Sequence, residues 1–107
     1  VENINIVIEK TEALTVIDVN SKGKTSESDK SKNALSVNLI AIDEILRQIS
    51  FRDISGIIIV DFINMKAKEK EVLEEKISKI QVLDNKIWNF HGFTKLGLYE
   101  ITRQRGK

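Results

Sequence analysis

The amino-acid sequence predicts an α/β fold: one compact domain on a mixed sheet, with elements in the order β-β-α-β-α-β-β. Three observations lead there. β-branched runs of strand length stand near both ends and in the middle of the chain. Two segments between them carry apolar residues at spacings of three and four. At 107 residues the chain can surround one hydrophobic core and has no room for a second.

Residues 4–8 (Ile-Asn-Ile-Val-Ile) and 13–19 (Ala-Leu-Thr-Val-Ile-Asp-Val) flank a short polar stretch from Glu9 to Glu12, which predicts an antiparallel hairpin. From Asn20 to Asn33 the chain turns to Lys, Ser, Asp and Glu around Gly23, with no apolar anchor, and reads as a mobile loop. Leu35, Leu39, Ile42, Leu46 and Ile49 then make an amphipathic stripe, so a helix is expected over 34–50. After Ser55-Gly56, the run Ile57-Ile58-Ile59-Val60 predicts a central strand covered on both faces. A more exposed helix is expected over 66–82, with Val72, Leu73, Ile77 and Ile80 as its stripe. Two further strands are read at 87–90 and 96–101, with a turn over 92–95.

Composition removes several classes of function. No apolar run approaches the roughly 18 residues of a membrane span. There is no cysteine, so disulfides and thiolate metal sites are excluded, and any metal must sit on oxygen or on the lone His91. That favours a hard cation, Mg²⁺ or Mn²⁺. A net charge of +1 neither demands nor excludes a nucleic-acid partner. Glycine-rich phosphate loops, nucleophile elbows and paired-histidine zinc motifs are absent from the sequence. The chain opens on Val1-Glu2-Asn3 without a signal-peptide pattern, and the expectation is a piece of a longer protein.

Two aspartates carry the chemistry. The stretch from strand 13–19 through the helix to strand 57–61 has the length of a βαβ unit, whose strands run parallel and end on one edge. Asp18 lies at the end of the first strand and Asp61 at the end of the second, where open α/β sheets gather ligands. Each follows a β-branched apolar stretch, where an ionised carboxylate is costly unless paired, hydrogen-bonded or metal-bound. A magnesium site of this kind uses one or two carboxylates and leaves the remaining positions to water and phosphate, which suits phosphodiester hydrolysis. Acidic residues at strand ends also cap helices or bind turn amides, and pattern alone leaves both readings standing. Asn20, two residues beyond Asp18, points to the same side of an extended chain, where its amide orients Asp18, donates to phosphate, or simply opens the loop. Lys22, Lys24, Lys30 and Lys32 in the loop, with Arg103 and Arg105 near the end, are candidate phosphate contacts or solvated charges. Trp88, Phe90 and Phe93 offer stacking surfaces, although aromatics on an alternating strand belong more often to a core.

The run Glu12 to Ser21 (Glu-Ala-Leu-Thr-Val-Ile-Asp-Val-Asn-Ser) resembles the ribonuclease E/G family, as do Asn38-Leu39, Glu44-Ile45 with Arg47-Gln48, Arg52-Asp53, the run Gly56 to Ile63 and the run Thr94 to Arg103. The matches span nearly the whole chain in the family's order. The resemblance implies the subdomain likened to deoxyribonuclease I in metal-dependent endoribonucleases. There, residues matching Asp18 and Asp61 hold magnesium, the one matching Asn20 supports them, and single-stranded RNA is cut internally to 5′-phosphate and 3′-hydroxyl ends. It implies too a cytoplasmic parent chain with an S1 RNA-binding domain, a pocket that senses the 5′-phosphate and a zinc-linked oligomer. This sequence departs from the pattern at Asn64, where an aspartate is usual, at Ile40 (glutamate) and at Ser50 (arginine). The alternative expectation is therefore an RNA- or protein-binding module that keeps the fold without efficient turnover.

Overall fold

The computed structural model describes residues 4–21 and 30–105. Its elements run β1 (Ile4–Lys10), β2 (Thr15–Ser21), α1 (Lys30–Phe51), β3 (Gly56–Asp61), α2 (Ala67–Lys79), β4 (Trp88–Phe93) and β5 (Tyr99–Arg103). The predicted order is the observed one. The strands form one five-stranded sheet in the order β1-β2-β3-β5-β4, parallel between β2 and β3 and antiparallel elsewhere.

The β1–β2 hairpin forms as expected, closed by Thr11, whose backbone N–H and hydroxyl both donate to the Leu14 carbonyl. The predicted loop over 20–33 is shorter on both sides: Asn20 and Ser21 continue β2, and α1 starts at Lys30. Its stretch 22–29 lies outside the described residues. The last strand also shifts. Gly97 has φ +88, a left-handed conformation that costs glycine nothing, so 94–98 becomes the turn and β5 starts at Tyr99.

Alternation along the strands sorts the sheet into two unlike faces. Ile17 and Val19, Ile58 and Val60, and Tyr99 and Ile101 are buried in one core with Ala41, Ile42, Ile45 and Ile49 of α1 and Leu73 and Ile77 of α2. Both helices thus lie on this face. The opposite face carries Val16, Asp18 and Asn20 of β2, Ile57, Ile59 and Asp61 of β3, and Glu100 and Thr102 of β5. The apolar run of β3 predicts a strand covered on both faces, and this is corrected: Ile57 is 47% exposed. Among the described residues both helices cover the face of Ile58 and Val60, and no element packs over Ile57.

Helix α1 buries Ile42, Leu46 and Ile49 of the predicted stripe and widens it on one side. Ala34, Val37, Ala41 and Ile45 are buried, while Leu35 and Leu39 sit at its margin. On α2, Val72 of the predicted stripe faces outward at 48% exposure. Ala34 and Ala41 belong to the buried face of α1, which a count of large apolar residues underweights.

Candidate metal centre

The parallel pairing of β2 with β3 sets the register Thr15↔Ile58, Val16↔Ile59, Ile17↔Val60 and Asp18↔Asp61. Asp18 and Asp61 are therefore direct lateral neighbours, on strands spaced about 4.8 Å apart, with side chains on the same open face. Asp18 is partly buried and Asp61 exposed. Asn20 lies one pleat further along β2 on the same face, paired across the hairpin with Asn5. Asn5 carries no motif of its own, and its only signal in the sequence is its parity in the first strand.

Two features fix the end of β3. Asn38, fully buried on α1, donates through Nδ2 to the Ile63 carbonyl at 2.9 Å and accepts the Ile63 N–H on Oδ1 at 3.1 Å. This two-way amide clamp ties α1 to the chain just after Asp61. Beneath the same segment, Phe62, Phe93 and Tyr99 form an aromatic cluster with centroids 5.1 to 6.1 Å apart. Burial, with the negative charge of Glu74 adding to it, raises the Tyr99 pKa to about 12.

The donor set fits a magnesium ion. Two carboxylates and an amide would offer hard oxygen donors on a face that no other described element covers, and Mg²⁺ asks for one or two protein carboxylates. No group of three or more histidine or carboxylate side chains converges among the described residues, so this site resembles neither a closed structural zinc centre nor a calcium cage. Beside Asp61 opens a cleft of about 290 Å³, lined by residues 61–65 with Lys70, Phe93 and the turn around Lys95.

Other predicted contacts fall elsewhere. Lys22 and Lys24 lie outside the described residues. Arg103 was expected to meet phosphate, and its position corrects that expectation: its side chain is only 2% exposed. Its Nε and Nη2 donate to Asp84 Oδ2 at 3.3 and 3.1 Å, and its Nη1 donates to Asp53 Oδ1 and the Ile54 carbonyl at 3.0 and 2.8 Å. Its guanidinium also stands 5.3 Å from the Trp88 ring. Asp84 further accepts Ser50 Oγ, Trp88 Nε1 and the Lys86 N–H. Partial burial opposes its ionisation, but the hydrogen bonds from Ser50, Trp88, Lys86 and Arg103 outweigh that and hold its pKa at about 2. The cluster staples β5 to the end of α1 and to the segment before β4. Trp88 and Phe90 stack at 5.9 Å against the core, and His91 shares a hydrogen bond with Thr102 at 2.8 Å.

Fold and site together define a class: a two-layer α/β domain with paired carboxylates at the ends of adjacent parallel strands. Sequence comparison then identifies the family. The model of the Ribonuclease E/G family matches residues 2–106. Ribonuclease E of Escherichia coli (strain K12) is 38% identical over 102 residues, a match covering 94% of this chain and 10% of that protein. Ribonuclease E of Synechocystis sp. is 43% identical over 101 residues, covering 94% and 15%, and that of Buchnera aphidicola subsp. Acyrthosiphon pisum is 39% identical over 102 residues, covering 94% and 11%. The chain belongs to the Ribonuclease E/G family and spans 10 to 15% of the length of these relatives. No helix among the described residues is long and apolar enough to cross a membrane.

Proposed function

We propose that this domain is the catalytic, deoxyribonuclease I-like subdomain of a magnesium-dependent endoribonuclease that cuts single-stranded RNA internally, leaving 5′-phosphate and 3′-hydroxyl ends. The observation that carries this reading is the register of Asp18 with Asp61, which sets two carboxylates side by side on an open sheet face. Mg²⁺, or Mn²⁺ in its place, would supply Lewis acidity at a phosphate oxygen and lower the pKa of a water.

The residues of the chain do the rest. Asp18 and Asp61 hold the ion and thereby relieve their mutual repulsion. Asn20 donates its amide to Asp18 or to a phosphate oxygen, steadying the geometry without adding charge. Hydrolysis then forms a bond from water oxygen to phosphorus and breaks the bond to the 3′ oxygen, which leaves with a proton. This reading sets the domain in a longer cytoplasmic chain that carries an S1 domain and assembles into an oligomer.

Cleavage of a fluorescent single-stranded RNA by the full-length parent tests it. Asp18→Asn and Asp61→Asn should each lower the rate by at least a hundredfold; parent activity that survives Asp61→Asn refutes the assignment. A second reading, a binding module without efficient turnover, draws on Asn64, which lines the cleft beside Asp61 with an amide where the family pattern has a carboxylate. It predicts a parent that binds RNA without cutting it and gains cleavage on Asn64→Asp.

A further inference from the structure

The cleft beside Asp61 gathers positive charge that the metal centre does not use. Lys70 comes from the first turns of α2, and Lys95 from the turn between β4 and β5. The side chain of the first and the backbone turn of the second are held in place. Lys70 Nζ stands 5.4 Å from the centre of the Phe93 ring. The turn bearing Lys95 is closed by Thr94 N–H to Leu98 O at 2.7 Å, Gly97 N–H to Thr94 O at 3.0 Å and Leu98 N–H to Thr94 Oγ1 at 3.2 Å. Gly97, in the left-handed conformation that shapes this turn, brings the turn to Lys70: a Cβ there would lie 3.6 Å from Lys70 Nζ, at ordinary contact distance. β4 and β3 are both antiparallel to β5, so they run the same way and the Lys95 turn follows β4 at the edge where Asp61 ends β3.

We infer that this cleft is a phosphate subsite for the RNA strand, in which Lys70 and Lys95 receive the phosphodiester next to the one bound at Asp18 and Asp61. The inference rests on the metal-site reading and adds the direction in which the strand leaves it. A lone carboxylate pair repels a polyanion, and two ammonium groups beside it offset that repulsion where the next phosphate must lie. The lining is mixed, with the Lys70 and Lys95 ammonium groups and the Asn64 amide beside the apolar Phe93 and Leu96 and with the Asp61 carboxylate at the metal-site end, which suits a phosphate with its attached sugar and base. Neither lysine makes an ion pair among the described residues.

The test is the salt dependence of binding, read by anisotropy of a fluorescein-labelled oligouridylate in EDTA, where the metal-dependent cleavage proposed above does not run. Each phosphate contact to a single strand contributes about 0.7 to the slope of log K against log salt. Lys95→Gln and Lys70→Gln should each lower the slope by about 0.7, and the double variant by about 1.4. Lys79→Gln, an exposed lysine at the far end of α2, should leave it unchanged. Lys95 lies on an exposed turn, so Lys95→Gln carries the test even where Lys70→Gln loosens the fold.

An unchanged slope in Lys95→Gln overturns the subsite, as does an equal loss with Lys79→Gln or no binding by the wild type. Inorganic phosphate that raises the melting temperature through Lys95, with the oligonucleotide slope unmoved, marks a free-anion site and also overturns it. Manganese binding in the same variants separates this proposal from the metal centre. Metal binding that persists while the slope is unaffected sinks the subsite alone. A slope that falls while Asp61→Asn leaves metal binding intact supports the subsite and sinks the metal assignment.

Discussion

The buried staple around Arg103 makes a prediction that can be worked through to a pH profile. Asp84 accepts hydrogen bonds from Ser50, Trp88, the Lys86 N–H and Arg103, and its pKa falls from an ordinary 3.8 to about 2. A depressed carboxylate contributes stability that is fully present above its unfolded value and is lost as pH falls through its folded value. The window here is therefore about pH 4 down to pH 2. At full weight the shift corresponds to roughly 2 kcal/mol. The carboxylate side chain is 20% exposed, and solvent screening reduces this to roughly 1–2 kcal/mol. Asp84→Asn keeps the shape but gives up that charge-dependent part. Urea unfolding followed by the fluorescence of Trp88, the chain's single tryptophan, should show the variant less stable by that amount at neutral pH. The deficit should shrink steadily between pH 4 and pH 2 as wild-type Asp84 protonates. A deficit of the same size at both ends of the window would refute the electrostatic account and leave only a packing effect. Asp84→Ala should cost more, about 3 kcal/mol, because it strands a buried guanidinium with one exposed partner, Asp53.

Other expectations concern the support of the site. Asn38→Ala leaves the Ile63 N–H and carbonyl without their partners; it should cost about 3 kcal/mol in urea unfolding and weaken metal binding by loosening the chain after Asp61. Stability lost without any change in metal binding would separate Asn38 from the site. Tyr99 is the only tyrosine, so ultraviolet titration of the phenolate reads it alone, with a midpoint expected near 12; a midpoint near the ordinary 10.0 would contradict its burial among Phe62 and Phe93.

Much of this architecture is legible in the residues because periodicity is set by burial. Alternation gives the strands, the three-and-four spacing gives the helices, and the length of the segment between β2 and β3 requires a crossover to a parallel neighbour. Asp18 and Asp61 could be placed on one edge for that reason, although their direct pairing depends on a register that only the folded sheet displays. For Arg103 the sequence offers a phosphate contact or a solvated charge, and both readings assume exposure that the fold denies it. Its parity with Tyr99 and Ile101 held the contrary signal, and the acceptors Asp53 and Asp84, 50 and 19 residues away, are invisible to local pattern. Asn38 escaped for a similar reason: an amide within an apolar stripe looks like an interruption until the backbone it clamps is seen. The pairing of Lys70 with Lys95 depends on the turn at Gly97, which the strand pattern had assigned to β5.

The central claim is that Asp18 and Asp61 hold one divalent ion, and manganese titration followed by electron paramagnetic resonance tests it most directly. The wild-type chain should bind one Mn²⁺, displaced by Mg²⁺, and Asp18→Asn and Asp61→Asn should each abolish that binding while the fold persists. Binding of undiminished affinity in both variants would contradict the account.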